Sequence, residues 1–131
     1  MSEKVLIIED SPEQAAAMAD AVIYAGYEAV IMDDLKDDVV ELLGEIEPKL
    51  VLLDLELLGD MGKVVADGFS ICHRIKNSGF SIPVAVISGR ADDEARDWAM
   101  SQGADLYLEK PFVLKTLAET IRKLIGKTGG E

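Results

Sequence analysis

Five short apolar runs recur along the chain, and longer segments with helical periodicity separate them. The runs do not alternate apolar with polar residues, which is typical of strands buried on both faces, as in a parallel sheet. They are Val5–Ile8, Ala29–Met32, Leu50–Leu53, Val84–Ile87 and Leu106–Leu108. The alternation of strand and helix predicts an α/β fold with right-handed crossovers and helices on both faces of a parallel sheet.

The predicted helices carry their own start and stop signals. The first begins with Ser11-Pro12-Glu13-Gln14, a hydroxyl N-cap followed by proline at N1 and glutamine at N3, which is the pattern of a capping box. Gly26 is placed to end it. The second helix is predicted to start at Asp33-Asp34 and to stop before Pro48. The apolar face of the first helix is predicted as Ala15, Ala19, Val22 and Ile23. Further helices are predicted around residues 68–75, 92–102 and 114–125.

Length, composition and charge restrict the function. The 131 residues, 49% of them hydrophobic, predict one globular domain over residues 1–131, with a core over 4–126 and a tail over 127–131. The formal net charge of −12 argues against nucleic acid or an anionic membrane as the main partner. The single cysteine, Cys72, excludes an internal disulfide, and the apolar runs are far shorter than the ~20 residues that span a bilayer. We therefore expect a cytoplasmic protein.

Polar residues follow four of the five predicted strands. Glu9 and Asp10 follow the first strand, Asp54 the third, Ser88 the fourth and Lys110 the fifth. Open parallel sheets bind ligands beyond the carboxyl ends of their strands, so these side chains are expected at one edge. Each residue alone is more often a helix cap or turn residue, but carboxylates ~4 Å apart repel by roughly 4 kcal/mol at an effective dielectric of 20. A hard cation or a lysine relieves that repulsion.

These motifs resemble the receiver domain of two-component response regulators, including its single-domain chemotaxis members. The motifs are Ile8-Glu9-Asp10, Leu52-Leu53-Asp54-Leu55, Asp67-Gly68, Ile82-Pro83-Val84 leading to Ser88, and Gly103-Ala104-Asp105-Leu106-Tyr107-Leu108-Glu109-Lys110-Pro111-Phe112. The resemblance covers residues 4–126 and implies a doubly wound, flavodoxin-like, three-layer fold with strand order 2-1-3-4-5.

The resemblance also implies a chemical role for the residues at the strand ends. Asp54 would be the phosphoacceptor, forming an acyl phosphate. Glu9, Asp10 and Asp54 would hold Mg²⁺ together with the backbone carbonyl of Glu56 and water. Lys110 would pair with a phosphoryl oxygen.

A second group of residues would report phosphorylation. Ser88 would donate a hydrogen bond to another phosphoryl oxygen, and Ser88 and Tyr107 would form the switch that alters the face made by the fourth helix, fifth strand and fifth helix. The Lys110–Pro111 peptide bond would be cis. Glu56 and Arg90 would flank the phosphoryl group, and we hypothesise that they pair across the mouth of the site and limit water.

The function implied by the resemblance is a phosphoacceptor signalling switch. The phosphoryl group would come from a histidine kinase or a histidine phosphotransfer protein, and a downstream target protein would bind the face just described. The chain would be a monomer or weak dimer and no enzyme towards external substrates. One alternative is a degenerate receiver that binds partners without phosphorylation. A phosphatase with an aspartyl nucleophile is disfavoured, because such enzymes typically carry a second aspartate where Glu56 stands.

The segment after Asp54 departs from the family pattern. Leu58 replaces the usual proline, and Asp67-Gly68 lies further from Asp54 than in relatives, although Gly62 offers an alternative register. We infer an insertion of about six residues within 59–66, which costs little entropy as a surface loop. It is either such a loop or a lip that selects the kinase or blocks water. Elsewhere, Cys72 is predicted to pack as a small apolar residue and His73 to face solvent. Helical spacing from Ala95 and Ala99 allows Trp98 to lie in the core or on the output face, and we favour the core.

Overall fold

Five parallel strands form one sheet at the centre of the protein, in the order β2-β1-β3-β4-β5. The computed structural model describes residues 3–33, 38–54, 71–90 and 92–128. For residues 127 and 128 it describes the backbone alone. The strands are β1 (Lys4–Ile8), β2 (Glu28–Met32), β3 (Leu50–Asp54), β4 (Val84–Ser88) and β5 (Leu106–Glu109). The predicted α/β class and strand order are confirmed.

Helices cover both faces of the sheet and make the three layers that were expected. The described helical segments are α1 (Pro12–Ala25), α2 (Val39–Ile46), α3 (residues 71–76), α4 (Asp93–Ser101) and α5 (Leu114–Thr128). One apolar cluster joins α1 and α5 to the sheet face that carries Val5 and Ile7. A second cluster joins α2, α3 and α4 to the opposite face, which carries Leu6 and Ile8. No helix in the described part of the chain is both long and apolar enough to cross a membrane.

Burial differs between the centre and the edge of the sheet. Every residue of β3 and β4 is buried, as are the last four residues of β1. The continuous apolar runs therefore predicted these three strands correctly. For β2 the prediction of burial on both faces is wrong, since Ile31 is exposed on a strand that has a neighbour on one side only.

The start of α1 differs from the predicted capping box in its second half. The Ser11 hydroxyl accepts a 3.4 Å hydrogen bond from the backbone N–H of Gln14, as a capping box requires. The Ser11 N–H, however, donates to the Glu9 carboxylate at 2.9 Å instead of to the Gln14 side chain. Gly26 ends the helix at φ 101°, as predicted. Ile23 is exposed and Met18 is buried in its place, because the buried stripe of α1 is rotated from the predicted one.

Two further local predictions are corrected by the structure. The helix α2 begins at Val39, not at Asp33-Asp34, because the Asp38 carboxylate accepts hydrogen bonds from the first-turn N–H groups of residues 40 and 41. Trp98 is 51% exposed and does not lie in the core. The buried residues of α4 are Ala95 and Ala99, whose small side chains face the sheet and leave Trp98 outside.

The predictions for two side chains of α3, Cys72 and His73, are confirmed. Cys72 is fully buried and packs in the apolar cluster beneath α3, while the side chain of His73 is exposed. Burial raises the pKa of the Cys72 thiol to about 11, so the thiol is protonated at neutral pH. The predicted insertion within 59–66, with Leu58, Gly62 and Asp67-Gly68, lies outside the described residues.

Candidate functional site

The sheet register brings the polar strand ends to one edge. Ile8 of β1 pairs with Leu53 of β3, so Glu9 follows β1 at the level of Asp54. Asp54 pairs with Ile87 of β4, which places Ser88 one residue beyond it on the neighbouring strand. Parallel strands all end at the same edge, so their pairing makes residues from distant parts of the chain neighbours.

Asp54 and Lys110 form the central ion pair of this edge. Lys110 Nζ lies 2.5 Å from Asp54 Oδ2, with 1% of the Asp54 side chain and 19% of the Lys110 side chain exposed. The backbone N–H of Lys110 donates to the Ser88 carbonyl at 2.8 Å, which fixes the loop after β5 to the end of β4. The peptide bond between Lys110 and Pro111 is cis, the isomer that the resemblance implies. The pair supplies a buried carboxylate held beside a fixed positive charge.

Glu9 is a buried carboxyl group, and only one of its two oxygens accepts a hydrogen bond from the described residues. It is 1% exposed, its Oε2 accepts from the Ser11 N–H, and its Oε1 has no hydrogen-bond partner among the described residues. The pKa of Glu9 is raised to about 8, mainly by burial and secondly by the neighbouring Asp54 carboxyl. The Ser11 N–H and the Lys110 ammonium act in the opposite direction and lower it. An unpartnered oxygen of this kind favours binding of a cation or a proton.

Asp10 lies beside Glu9 on the wall of an open cavity of about 300 Å³, which Asp33 also lines. Among the described residues, no three His, Cys, Asp or Glu side chains are grouped closely enough to bind a metal ion by themselves. The site therefore supplies a partial set of carboxylate oxygens. That set fits Mg²⁺, which takes oxygen ligands and commonly completes its coordination shell with several waters.

The backbone of Arg90 connects Ser88 with Tyr107. The Ser88 hydroxyl, which is fully buried, accepts a 3.0 Å hydrogen bond from the Arg90 N–H. The Tyr107 hydroxyl donates to the Arg90 carbonyl at 2.8 Å, and the Tyr107 side chain is 4% exposed. The two residues that the resemblance implied as a switch are thus linked through a single residue of the loop between β4 and α4.

The Arg90 side chain is paired with Asp92 in the same loop. Arg90 Nη2 and Nε lie 2.8 Å and 3.1 Å from the two carboxylate oxygens of Asp92, which also caps α4 through the Ala95 N–H. The Arg90 guanidinium lowers the pKa of the exposed Asp92. Glu56, the other residue predicted to flank the site and to offer a backbone carbonyl, lies outside the described residues. The hypothesis that it pairs with Arg90 stays a prediction.

One contact at this edge has no counterpart in the sequence prediction. The Gln14 side chain, assigned to a capping box by its spacing, accepts a hydrogen bond from Lys110 Nζ through Oε1. These two residues are 96 positions apart in the chain, and nothing in the local sequence of either indicates the contact. They also line a largely apolar groove of about 480 Å³ with Met18 and Phe112.

Exposed apolar side chains lie on α4 and directly before α5. Trp98 and Met100 of α4 and Val113, just before α5, are all exposed. Arg96 of α4 lies over the Tyr107 ring at 5.2 Å and forms a 3.1 Å ion pair with Glu109. The buried tyrosine is therefore in direct contact with residues of the outer face.

Comparison with known proteins agrees with this geometry. A model of the response regulator receiver domain matches residues 5–122. The chain belongs to this family. As a receiver domain of a two-component system it is a signalling protein, and response regulators interact with kinases and with downstream targets.

Individual relatives are similar over the whole domain. The uncharacterized transcriptional regulatory protein YvcP of Bacillus subtilis is 32% identical over 128 residues, which cover 98% of this chain and 51% of YvcP. The chain spans about half the length of the curated relatives it matches. The signal receiver domain of a DNA-binding response regulator from Colwellia psychrerythraea is 30% identical, with a TM-score of 0.78 over 95% of this chain and 98% of that one. A CheY-like receiver domain protein from Methanospirillum hungatei, 21% identical, shares the fold with a TM-score of 0.81 over 99% and 98%.

Proposed function

We propose that this receiver domain is a phosphoacceptor switch and that Asp54 is the residue phosphorylated. The observation that carries the proposal is the buried Asp54 carboxylate at the end of β3, held 2.5 Å from the Lys110 ammonium and beside Glu9. An ammonium at that position offsets the negative charge of an incoming phosphoryl group. The family to which the chain belongs supports the same assignment.

The proposed reaction is a transfer between two side chains. An Asp54 carboxylate oxygen attacks phosphorus, a new O–P bond forms, and the P–N bond of a phosphohistidine donor breaks. The imidazole leaves with the electron pair of the P–N bond and takes up a proton from solvent. Lys110 stays paired with the phosphoryl oxygens, and the Ser88 hydroxyl donates to another of them while it accepts from the Arg90 N–H.

Mg²⁺ is the proposed cofactor, and the donors at the site fit it. Glu9, Asp10 and Asp54 would hold the ion, with the Glu56 carbonyl as a further proposed ligand. The unpartnered Oε1 of buried Glu9 supports this assignment, because a cation would satisfy it. When bound, the ion neutralises charge on the transferring phosphoryl group.

The proposed response to phosphorylation passes through Ser88 and Tyr107. A shift of Ser88 towards the phosphoryl group pulls on the Arg90 backbone, and Arg90 is the residue that accepts the Tyr107 hydrogen bond. Tyr107 also contacts Arg96 on the outer face. Phosphorylation is therefore proposed to change partner affinity by shifting the population of conformations at the α4–β5–α5 face.

The proposed partners are proteins. A histidine kinase or histidine phosphotransfer protein would supply the phosphoryl group, and a downstream target would bind the α4–β5–α5 face, where the exposed Arg96–Glu109 ion pair lies. The net charge of −12 makes direct binding of this domain to nucleic acid or an anionic membrane unfavourable. We propose a cytoplasmic monomer or weak dimer that catalyses only its own phosphorylation and slow dephosphorylation.

Intact-mass measurement tests the proposal. The protein is incubated with acetyl phosphate, with and without Mg²⁺, alongside Asp54→Asn. We expect one phosphoryl adduct that requires Mg²⁺ and is absent from Asp54→Asn. If acetyl phosphate and a panel of phosphorylated histidine phosphotransfer proteins all give no adduct on the folded protein, the proposal is wrong and the degenerate receiver takes its place.

A further inference from the structure

The ammonium of Lys110 contacts two acceptors on different elements. Its Nζ donates to Asp54 at the end of β3 and to the Gln14 carboxamide oxygen in the first turn of α1. The three residues come from distant parts of the chain, so the tertiary fold alone creates this arrangement. The proposed function assigns a role to Lys110 and Asp54, and it leaves Gln14 without one.

The first turn of α1 leaves the Gln14 amide available for this contact. In a complete capping box the glutamine at N3 would bind the N–H of the N-cap residue. Here the N–H of Ser11 donates to Glu9 instead, at 2.9 Å. One turn of helix therefore contacts the site twice, through the Ser11 N–H on a carboxylate and through the Gln14 carbonyl on the ammonium.

We propose that Gln14 is a positioning residue that holds the Lys110 ammonium in place for the phosphoryl group. The inference rests on the proposed function, since it concerns the phosphorylation of Asp54. Fixing a lysine side chain in one place costs free energy, because the side chain loses rotamer entropy. A second acceptor that is itself part of a rigid helix turn fixes the ammonium in advance, so that less of this cost falls on the reaction step.

The choice of a neutral acceptor matters for the charge of the site. A carboxamide oxygen accepts a hydrogen bond from Lys110 without cancelling its positive charge. The ammonium therefore retains its electrostatic effect on the phosphoryl oxygens, which a glutamate at position 14 would reduce. Gln14 positions the charge and Lys110 supplies it.

The first test compares rates of phosphorylation by acetyl phosphate with Mg²⁺. Gln14→Met removes the acceptor and keeps the length of the side chain and its helix propensity. We expect the rate constant to fall about fivefold, the effect of losing one hydrogen bond of ordinary strength. Glu13→Met, at the exposed neighbouring position of the same turn, is the matched control and should leave the rate within twofold.

A second comparison separates positioning from a general effect on the fold. In a Lys110→Ala background, Gln14→Met should change the rate less than twofold, because the group that Gln14 positions is gone. A fivefold loss that persists without Lys110 would mean that Gln14 acts by another route, and the inference would be wrong. An unchanged rate in Gln14→Met itself would overturn it directly.

A spectroscopic measurement checks the contact without any phosphorylation. The chain has three side-chain carboxamides, Gln14, Asn77 and Gln102, so their NH₂ pairs are easily assigned in a ¹H–¹⁵N spectrum. Lys110→Ala should move the Gln14 pair and leave those of Asn77 and Gln102 in place. A Gln14 pair that does not move would contradict the inference.

The outcomes also distinguish this inference from the proposed function. If the wild-type protein is phosphorylated and Gln14→Met behaves like it, Gln14 has no positioning role and the phosphoacceptor function stands. If the wild-type protein takes no phosphoryl group from any donor, the function itself fails, and the role of Gln14 in the transfer fails with it.

Discussion

The Tyr107 hydroxyl donates a hydrogen bond of 2.8 Å to the backbone carbonyl of Arg90. The N–H of the same residue donates to the Ser88 hydroxyl at 3.0 Å, so Arg90 ties the tyrosine to the end of β4. Because a hydroxyl both accepts and donates, Ser88 can accept from Arg90 and still donate its own proton. The inward tyrosine and the hydroxyl at the site therefore belong to one hydrogen-bonded unit.

Removing the Tyr107 hydroxyl should weaken the fold by a modest amount. We expect Tyr107→Phe to lower the free energy of unfolding by about 1 kcal/mol, because the Arg90 carbonyl loses its partner while the ring stays packed. Urea denaturation measures the difference. Tyr24→Phe is the matched control, since the side chain of Tyr24 is exposed, and its change should stay within about 0.5 kcal/mol. Equal effects of the two substitutions would show that the Arg90 contact contributes nothing.

The sequence pattern predicted the fold well because the central strands are buried on both faces. A run such as Leu50–Leu53 can be placed in a parallel sheet without knowledge of its neighbours, and the motifs supplied the strand order. The edge strand β2 departs from the pattern, because burial there depends on what lies beside the strand. Trp98 was misplaced for a related reason: helical spacing allows two faces, and the small Ala95 and Ala99 decide which one meets the sheet.

The candidate site was predictable as a set of residues but not as a set of contacts. The ends of β1, β3, β4 and β5 could be read from the sequence, since residue type and order are visible there. The hydrogen bond from Lys110 to Gln14 and the raised pKa of Glu9 depend on packing between distant segments. Local spacing assigned Gln14 to a capping box. In the structure the N–H of Ser11, which the Gln14 side chain would bind in such a box, donates to the neighbouring Glu9 carboxyl group instead.

The raised pKa of Glu9 predicts that stability without divalent cations falls as pH rises. Its pKa is about 8 in the folded protein, against 4.5 for a glutamate carboxyl exposed to water. Between these values the unfolded chain has released a proton that the native state retains, so the free energy of unfolding decreases by at most about 1.4 kcal/mol per pH unit. Below pH 4.5 this contribution is constant.

Thermal unfolding between pH 5 and pH 8.5 in EDTA, compared with Glu9→Gln, measures the effect. The glutamine keeps an acceptor for the Ser11 N–H and carries no charge at any pH. The unfolding temperature of Glu9→Gln should therefore rise relative to that of the wild type as pH rises. Glu13→Gln, an exposed acid in the first turn of α1, is the control and should follow the wild-type profile. A constant difference between Glu9→Gln and wild type across this range would contradict the raised pKa.

Saturating Mg²⁺ should abolish the pH trend, because the native state then holds Glu9 deprotonated, as the unfolded chain does above pH 4.5. A cation at Glu9 and Asp54 requires the deprotonated carboxylate, so affinity should rise with pH up to about 8 and binding should release protons. At a hundredfold excess over Kd, Mg²⁺ should add about 2.7 kcal/mol to the free energy of unfolding. Calorimetry in two buffers of different ionisation enthalpy measures the proton release. Binding that is equally tight at pH 6 and pH 8 would exclude Glu9 as the titrating ligand.

Gly103 and Gly26 share a backbone conformation but not their surroundings, which makes them a matched pair. Their φ angles are 102° and 101°. A Cβ on Gly26 would meet nothing within 4 Å, whereas one on Gly103 would lie 2.9 Å from Lys76 Cγ. Lys76 cannot easily move away, because its Nζ donates to the Ile82 carbonyl at 3.1 Å and to Asp105 at 2.8 Å.

We therefore expect Gly103→Ala to destabilise the protein more than Gly26→Ala. Each alanine pays about 1–2 kcal/mol for the left-handed conformation, and Gly103→Ala adds roughly 1–3 kcal/mol for the collision with Lys76. Urea denaturation of both variants measures the difference in the free energy of unfolding. In a Lys76→Ala background this difference should become smaller, because the colliding Cγ is then absent.

The Asp105 carboxylate that Lys76 contacts also accepts the N–H of Val84 at 2.8 Å. A displaced Lys76 should therefore loosen the start of β4, and faster amide exchange at Val84 in Gly103→Ala alone would locate the strain there. Equal losses at the two glycines would mean that backbone conformation accounts for the whole effect and that Lys76 yields without cost.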